Sequence, residues 1–139
     1  MTGLPKLGHI AADLYIDCSG FKSLLLNKTL NEPFISFKNK LHSDSAIAIR
    51  IPYVDKEIEM EHSTNATTLS SGWVWNTPLW DRIGTGYVYS SKFITPEEAE
   101  HEFREYLIND RDIPHDRKEI ESLKAMHIDI SPGIHERSW

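Results

Sequence analysis

The sequence predicts an α+β fold, a mostly antiparallel sheet with two or so helices, on three observations. Residues 45–53 alternate in character at the two-residue period of a half-buried strand. Residues 66–91 are rich in β-forming side chains and have the length of a long antiparallel hairpin. Residues 95–110 combine an N-terminal capping signal with apolar side chains at helical spacing, which indicates an amphipathic helix.

The first elements are predicted in residues 12–33. In "ADLYIDCSG", Leu14, Tyr15 and Ile16 form an apolar run closed by a Ser-Gly pair, which is typical of a short buried strand entering a loop. The following "FKSLLLNKTLNEP" spaces its apolar residues as a helix does and ends at Pro33. We therefore expect a strand, a glycine turn and a helix in that order.

The next strand is predicted in "SDSAIAIRIPY". Ile47, Ile49 and Ile51 fall on one face, and alanines and an arginine fall on the other. The polar stretch 55–65 mixes charges without a clear period, so we expect a loop or a ragged edge strand there.

The hairpin contains "SGWVWNTPLWDRIGTGYVYSS", an unusual concentration of aromatic residues. A turn at residues 81–82 would place Trp75 opposite Val88. The same register places Trp73 opposite Ser90. The two tryptophans then point to the same side of the sheet.

The helix in "TPEEAEHEFREYLIND" carries the strongest local signals. Thr95 is the expected N-cap, Pro96 the first helical residue, and Glu98 completes a capping box. Glu100 and Arg104 form an i,i+4 ion pair. The apolar stripe consists of Ala99, Phe103, Tyr106 and Leu107. A charged connection around Pro114, one more strand in "LKAMHIDI" and a turn at Pro132-Gly133 are expected to follow.

Composition limits the possible partners and compartments. At 139 residues the chain fits one domain, and its net charge of −6 with scattered basic residues argues against a nucleic-acid partner. No apolar stretch is long enough for a membrane span, and the single Cys18 cannot form an internal disulfide, so we expect a cytoplasmic protein. Free cysteines are commonly buried, so we expect a structural role for Cys18 rather than a nucleophilic one.

Few residues outside the hairpin suggest a site. The seven histidines lack the spacing of metal ligands, and we expect no metal site. Gly84 and Gly86 lie within a β-rich segment rather than before a helix, so they indicate close approach or a bulge rather than a phosphate cradle. The paired tryptophans have two interpretations: half-buried core, or a flat aromatic face that orders or excludes a ring-shaped ligand.

The motifs taken together resemble a known family. "GWVWNTP", then "GTGYVYSSKF" and "TPEEAEHEF", resemble the WxWxIP region of the flavin-dependent tryptophan halogenases, and "ADLYIDCSGFKSLLL" resembles the segment before it. The resemblance runs from about Gly8 to Trp139. Trp73, Trp75 and Pro78 match the motif, and Thr77 stands where the family has isoleucine.

The resemblance implies a fold, a reaction and a role for these three residues. The fold would be part of a larger FAD-dependent monooxygenase-like architecture. Reduced FAD, supplied through a flavin reductase, would react with oxygen and halide, and hypohalous acid would chlorinate or brominate tryptophan or a related aromatic. Trp73, Trp75 and Pro78, the partition residues, would line the separation between the flavin and substrate sites.

The resemblance also implies that residues 1–139 are a single, central segment of such an enzyme. The family's GxGxxG region and catalytic lysine match nothing in this chain, and its C-terminal catalytic region would follow Trp139. We therefore assign no catalytic residue, and expect no bound FAD, no activity from the segment alone, and possible self-association through exposed sheet edges. The alternatives are a freestanding module that binds an aromatic ligand or a protein, and an enzyme completed by neighbouring polypeptides.

Overall fold

The computed structural model describes residues 11–109, 115–130 and 132–135, and it confirms the α+β class. The described chain falls into two compact units. The smaller contains the residues up to Ile35 together with Ile134 and His135, and the larger is Ser36–Gly133. The expected charged connection around Pro114 lies partly outside the described residues, since 110–114 are not among them.

An antiparallel sheet of five strands organises the larger unit. In spatial order its strands are β3, β4, β5, β2 and β6. Their bounds are Ser45–Ile51 for β2, Asn65–Leu69 for β3, Gly72–Pro78 for β4, Ile83–Tyr89 for β5 and Met126–Asp129 for β6. The strand predicted in 45–53 and the long hairpin are thus confirmed, and the hairpin gains a third strand, β3.

Three helices accompany this sheet: α1 at Lys56–Glu59, α2 at Pro96–Asn109 and α3 at Arg117–Ser122. The predicted capping box begins α2. The Thr95 amide donates to Glu98 Oε2 at 3.0 Å, and the Glu98 amide donates to Thr95 Oγ1 at 3.3 Å. The predicted ion pair also forms, with Arg104 Nη2 2.7 Å from Glu100 Oε1.

The core lies between α2 and one side of the sheet, which we call the helix face. Ile47, Ile49 and Ile51 project there as predicted and are at most 2% exposed. The predicted stripe of α2 meets them: Ala99, Phe103, Tyr106 and Leu107 are all buried. Because each fully buried apolar side chain of this size contributes about 1.5–3 kcal/mol, this contact dominates the stability of the larger unit.

The stretch 55–65 contains a short helix, which the sequence analysis missed. Asp55 Oδ1 accepts hydrogen bonds from the amides of Glu57, at 3.0 Å, and Ile58, at 3.4 Å. These bonds cap the first turn of α1, so a loop or ragged strand is wrong for that part of the stretch.

The smaller unit departs from prediction at its first element. Leu14, Tyr15 and Ile16 form no strand and are between 56% and 75% exposed. The two-stranded sheet pairs β1, Phe34–Ser36, with β7, Gly133–His135. The prediction of a buried strand is therefore wrong here.

The predicted helix before Pro33 is present but irregular. A 3-10 turn at Gly20–Lys22 and a π-helical turn at Leu24–Thr29 are separated by Ser23, whose left-handed φ of 41° breaks the helix. Asp17 caps the second turn: its Oδ2 accepts from the Leu25 amide at 2.9 Å. Cys18 is exposed, so its expected burial is also wrong.

Candidate functional site

The candidate site is built on β4, where alternate residues project to opposite sides of the sheet. Val74 is fully buried on the helix face, opposite Tyr87 of β5. Trp73 and Trp75 therefore project to the other side, which we call the outer face. Neither tryptophan belongs to the cluster of buried residues that packs against α2.

The two indoles form a pair on the outer face. Their ring centroids lie 6.3 Å apart, with 60° between the ring planes, within the range of favourable aromatic contacts. Trp73 is 42% exposed and Trp75 is half-buried. The predicted common direction of the two side chains is thus confirmed, and they present a continuous apolar surface to one side of the sheet.

The register differs from the predicted one by two residues. Trp73 lies opposite Val88, and Trp75 lies opposite Gly86. The connection is a four-residue loop, 79–82, closed by the Leu79 amide donating to Arg82 O at 2.9 Å. Residues 79–82 form the connection, so the turn is longer than the one predicted at 81–82. Because the shift is even, both indoles keep their side of the sheet.

Pro78 lies apart from the indoles. It pairs with Ile83, which is 1% exposed in the core, and so belongs to the helix face. Position 78 is three residues after Trp75, and strand alternation alone puts it on the opposite side. Thr77 is the residue that follows the indoles on the outer face, where its hydroxyl lies 3.1 Å from that of Thr64.

Uncharged residues continue the two rows that start at the indoles on the outer face. The row through Trp75 continues across β5, β2 and β6 as Gly86, Ala48 and Met126, and the row through Trp73 continues as Val88, Ala46 and Ile128. None of these side chains carries a charge. These two rows are therefore apolar over four strands, and Arg50, two residues after Ala48 on the same face of β2, marks their border.

Gly86 leaves the space that the Trp75 ring occupies. A Cβ atom at residue 86 would lie 2.1 Å from Trp75 Cη2 and 2.4 Å from its Cζ2. The predicted close approach is thus confirmed at Gly86. At Gly84 the nearest atom to such a Cβ would be Leu79 Cδ1, at 3.7 Å, so the prediction does not hold for that glycine.

Hydrogen bonds on the helix face hold the backbone of β4 behind the indoles. Thr85 Oγ1 lies 2.8 Å from Trp75 O and 2.6 Å from Asn76 Oδ1, and its proton is shared between them. Asn76 Nδ2 donates to the Tyr106 hydroxyl at 3.2 Å, which donates to Thr67 Oγ1 at 3.2 Å. Strands β3, β4 and β5 are thereby tied to α2. No local pattern in the sequence indicates this network, because its members are far apart in the chain.

A second contact fixes the start of β4. Burial raises the pKa of Tyr87, so its hydroxyl stays protonated over the physiological range. That hydroxyl donates to Glu102 Oε2 at 3.0 Å and accepts from the Ser71 amide at 3.1 Å. The residue before β4 is therefore attached to α2.

A third tryptophan lies outside the pair. Trp80 is 77% exposed in the loop that joins β4 to β5. Lys56 Nζ lies 3.6 Å from the centre of its ring, a cation–π contact. Trp80 thus provides an internal comparison for the paired indoles.

Gly84 and Gly86 do not fit the phosphate groups of FAD. The glycines of "GTG" lie within β5 rather than before a helix N-terminus, and the Trp75 ring covers Gly86. Within residues 11–109, 115–130 and 132–135, no three metal-ligating side chains converge. None of the helices in that part of the chain is both long and apolar enough to cross a membrane.

Comparison with known proteins gives a consistent result. A family model described as tryptophan halogenase matches residues 5–139. Tryptophan 7-halogenase RebH of Lentzea aerocolonigenes is 49% identical over 94 residues, which cover 68% of this chain and 18% of RebH. Tryptophan 6-halogenase SttH of Streptomyces toxytricini is 39% identical over 132 residues, which cover 95% of this chain and 24% of SttH.

Solved structures agree with the sequence comparison. The crystal structure of SttH superposes with a TM-score of 0.80 at 40% identity, over 96% of this chain and 24% of that one. A tryptophan C-6 flavin-dependent halogenase from taromycin biosynthesis also gives 0.80, at 41% identity, over 96% of this chain and 25% of that one. The chain thus spans about a quarter of the length of these two halogenases. The match does not favour the alternative of a freestanding binding module.

Proposed function

This chain belongs to the tryptophan halogenase family, and from that premise we propose that it is the central β segment of a flavin-dependent halogenase. The whole enzyme would use reduced FAD, oxygen and halide to chlorinate or brominate tryptophan or a related aromatic. We assign Trp73 and Trp75 to the partition between the flavin and substrate sites, with Pro78 ending the strand that carries them.

The observation that carries the proposal is the indole pair on the outer face. Two large rings in mutual contact make a surface without charge, and one of them rests directly on a neighbouring strand. Such a surface can keep two ring-shaped molecules apart while a small neutral acid passes beside it. An aromatic residue of the core would instead be buried against α2, as Tyr87 is against Phe103.

Pro78 has a different part in this proposal. Its ring lies on the helix face, so it cannot extend the aromatic surface. It is the last residue of β4, and the loop 79–82 begins directly after it. Its contribution to the partition is through the backbone.

We further propose that this segment is inactive alone and holds no FAD. Its described residues offer no phosphate cradle, and no residue of the chain matches the family's catalytic lysine or glutamate. The other partners would be a flavin reductase as the source of reduced FAD, the halide and the aromatic substrate, in the cytoplasm. Strand β3 lies at one edge of the sheet without a charged side chain, which favours self-association of the isolated segment.

Two preparations test the proposal. The purified chain is assayed with FAD, a flavin reductase, chloride and tryptophan; we expect neither flavin absorbance after purification nor chlorinated product. In the second, the chain replaces the matched 132 residues of SttH, and we expect chlorinated tryptophan under the same conditions. Chlorination by the isolated chain would contradict the proposal, and so would a folded, FAD-bound hybrid that makes no halogenated product.

A further inference from the structure

The Trp75 ring contacts strand β5 in a way that the Trp73 ring does not. Trp75 lies opposite Gly86, whereas Trp73 lies opposite Val88. The ring of Trp75 occupies the space that a side chain at residue 86 would fill, and Trp75 is the less exposed of the two. The orientation of Trp75 therefore depends on its cross-strand neighbour.

The steric demand at residue 86 is severe. Real Cβ atoms do not approach other heavy atoms within 3.0 Å, and here two ring atoms lie 2.1 and 2.4 Å away, with the carbonyl oxygen of Ile47 at 2.5 Å. Neither the ring nor the neighbouring strand can keep its present place beside an alanine. Gly84 lies two residues earlier on the same face of the same strand, and there a Cβ would make only ordinary contacts, at 3.7 and 3.8 Å.

The backbone of Trp75 is fixed from the opposite side of the sheet. Thr85 Oγ1 donates to the Trp75 carbonyl at 2.8 Å, in addition to its contact with Asn76. Thr85 is 1% exposed, so water does not replace this donor when it is lost. Thr85 and Gly86, which are adjacent in β5, thus contact Trp75 from opposite faces of the sheet.

We propose that Gly86 and Thr85 are positioning residues that set the orientation of the Trp75 indole, Gly86 by leaving room for the ring and Thr85 by holding its backbone. The functional meaning of this arrangement rests on the proposed partition role of Trp75. The orientation itself does not, because it involves only residues of this chain.

The test uses the 139-residue chain and the circular dichroism of its indoles. Two indoles 6.3 Å apart and inclined by 60° couple their electronic transitions and give a pair of bands of opposite sign. Trp73→Phe, which removes one member of the pair, identifies these bands. We expect Gly86→Ala to abolish or invert them and Gly84→Ala to leave them at full amplitude.

A second comparison covers the case in which Gly86→Ala does not fold. Thr85→Val keeps the shape of the side chain but removes the donor, and we expect it to reduce the amplitude by at least half. Thr85→Ser keeps the hydroxyl and should restore it. Full amplitude in a folded Gly86→Ala protein, or in Thr85→Val, would overturn the proposal. These bands need neither flavin nor halide, so a hybrid enzyme without partition activity would leave this result standing.

Discussion

Replacement of Tyr106 by phenylalanine tests the network that ties the indole-bearing strand to α2. The change leaves the buried ring in place and removes one hydroxyl, which accepts from Asn76 Nδ2 and donates to Thr67 Oγ1, both at 3.2 Å. A hydrogen bond of this kind contributes about 1 kcal/mol net, and these two are long. The expected loss in the free energy of unfolding is about 1–2 kcal/mol.

The control makes the same chemical change at a more accessible site. The Tyr53 hydroxyl donates to the carbonyl of Leu79, and that bond is exposed. Water can replace it, so Tyr53→Phe should cost no more than about 0.5 kcal/mol. Urea unfolding followed by tryptophan fluorescence measures both losses. A Tyr106→Phe protein as stable as Tyr53→Phe would refute the claim that this network holds β3, β4 and α2 together.

Three further predictions concern other parts of the chain. Hydrogen bonds, first from Ser19, lower the pKa of Asp17 from 3.8 to about 2. The contribution of Asp17 to stability is therefore present above pH 3.8 and is lost as the pH falls towards 2. A carboxyl titration followed by NMR that gives a pKa of 3.8 would contradict this. Thr95→Ala removes the capping box of α2 and should lower the free energy of unfolding in urea by about 1 kcal/mol, whereas Thr95→Ser should lower it far less. Equal losses for the two variants would exclude the capping role of Thr95. Arg104 donates to two backbone carbonyls at the end of α3, so Arg104→Met should lower the free energy of unfolding by about 2 kcal/mol. Arg117 is exposed, so Arg117→Met should lower it by at most about 1 kcal/mol. A larger loss for Arg117→Met than for Arg104→Met would contradict the role of Arg104 in holding α3.

Local signals predicted the elements that depend on nearby residues. The capping box of α2 and the alternation of Ile47, Ile49 and Ile51 involve neighbours in the chain, and both are confirmed. The common side of Trp73 and Trp75 needs only the two-residue period of a strand, so it survived an incorrect register. The helix at α1 had a local signal too, Asp55 as N-cap, and that signal was missed.

Contacts between distant residues could not be predicted in this way. The pairing of Trp75 with Gly86 depends on the length of the 79–82 loop. The residues of the loop carry no local signal that predicts this length. The apolar run around Tyr15 satisfied the pattern of a buried strand, but its side chains are more than half exposed and its residues form no strand. The assignment of Trp73, Trp75 and Pro78 to a partition stays a prediction.

The ratio of halogenated to hydroxylated tryptophan made by the SttH hybrid tests the central claim most directly. The double variant Trp73→Ala, Trp75→Ala removes the indole pair, and Trp80→Ala removes an exposed indole from the same hairpin. If the pair separates the flavin and substrate sites, the double variant makes hydroxylated product at the expense of halogenated product, and Trp80→Ala keeps the ratio of the parent hybrid. A folded, FAD-bound double variant with the parent's ratio would contradict the account.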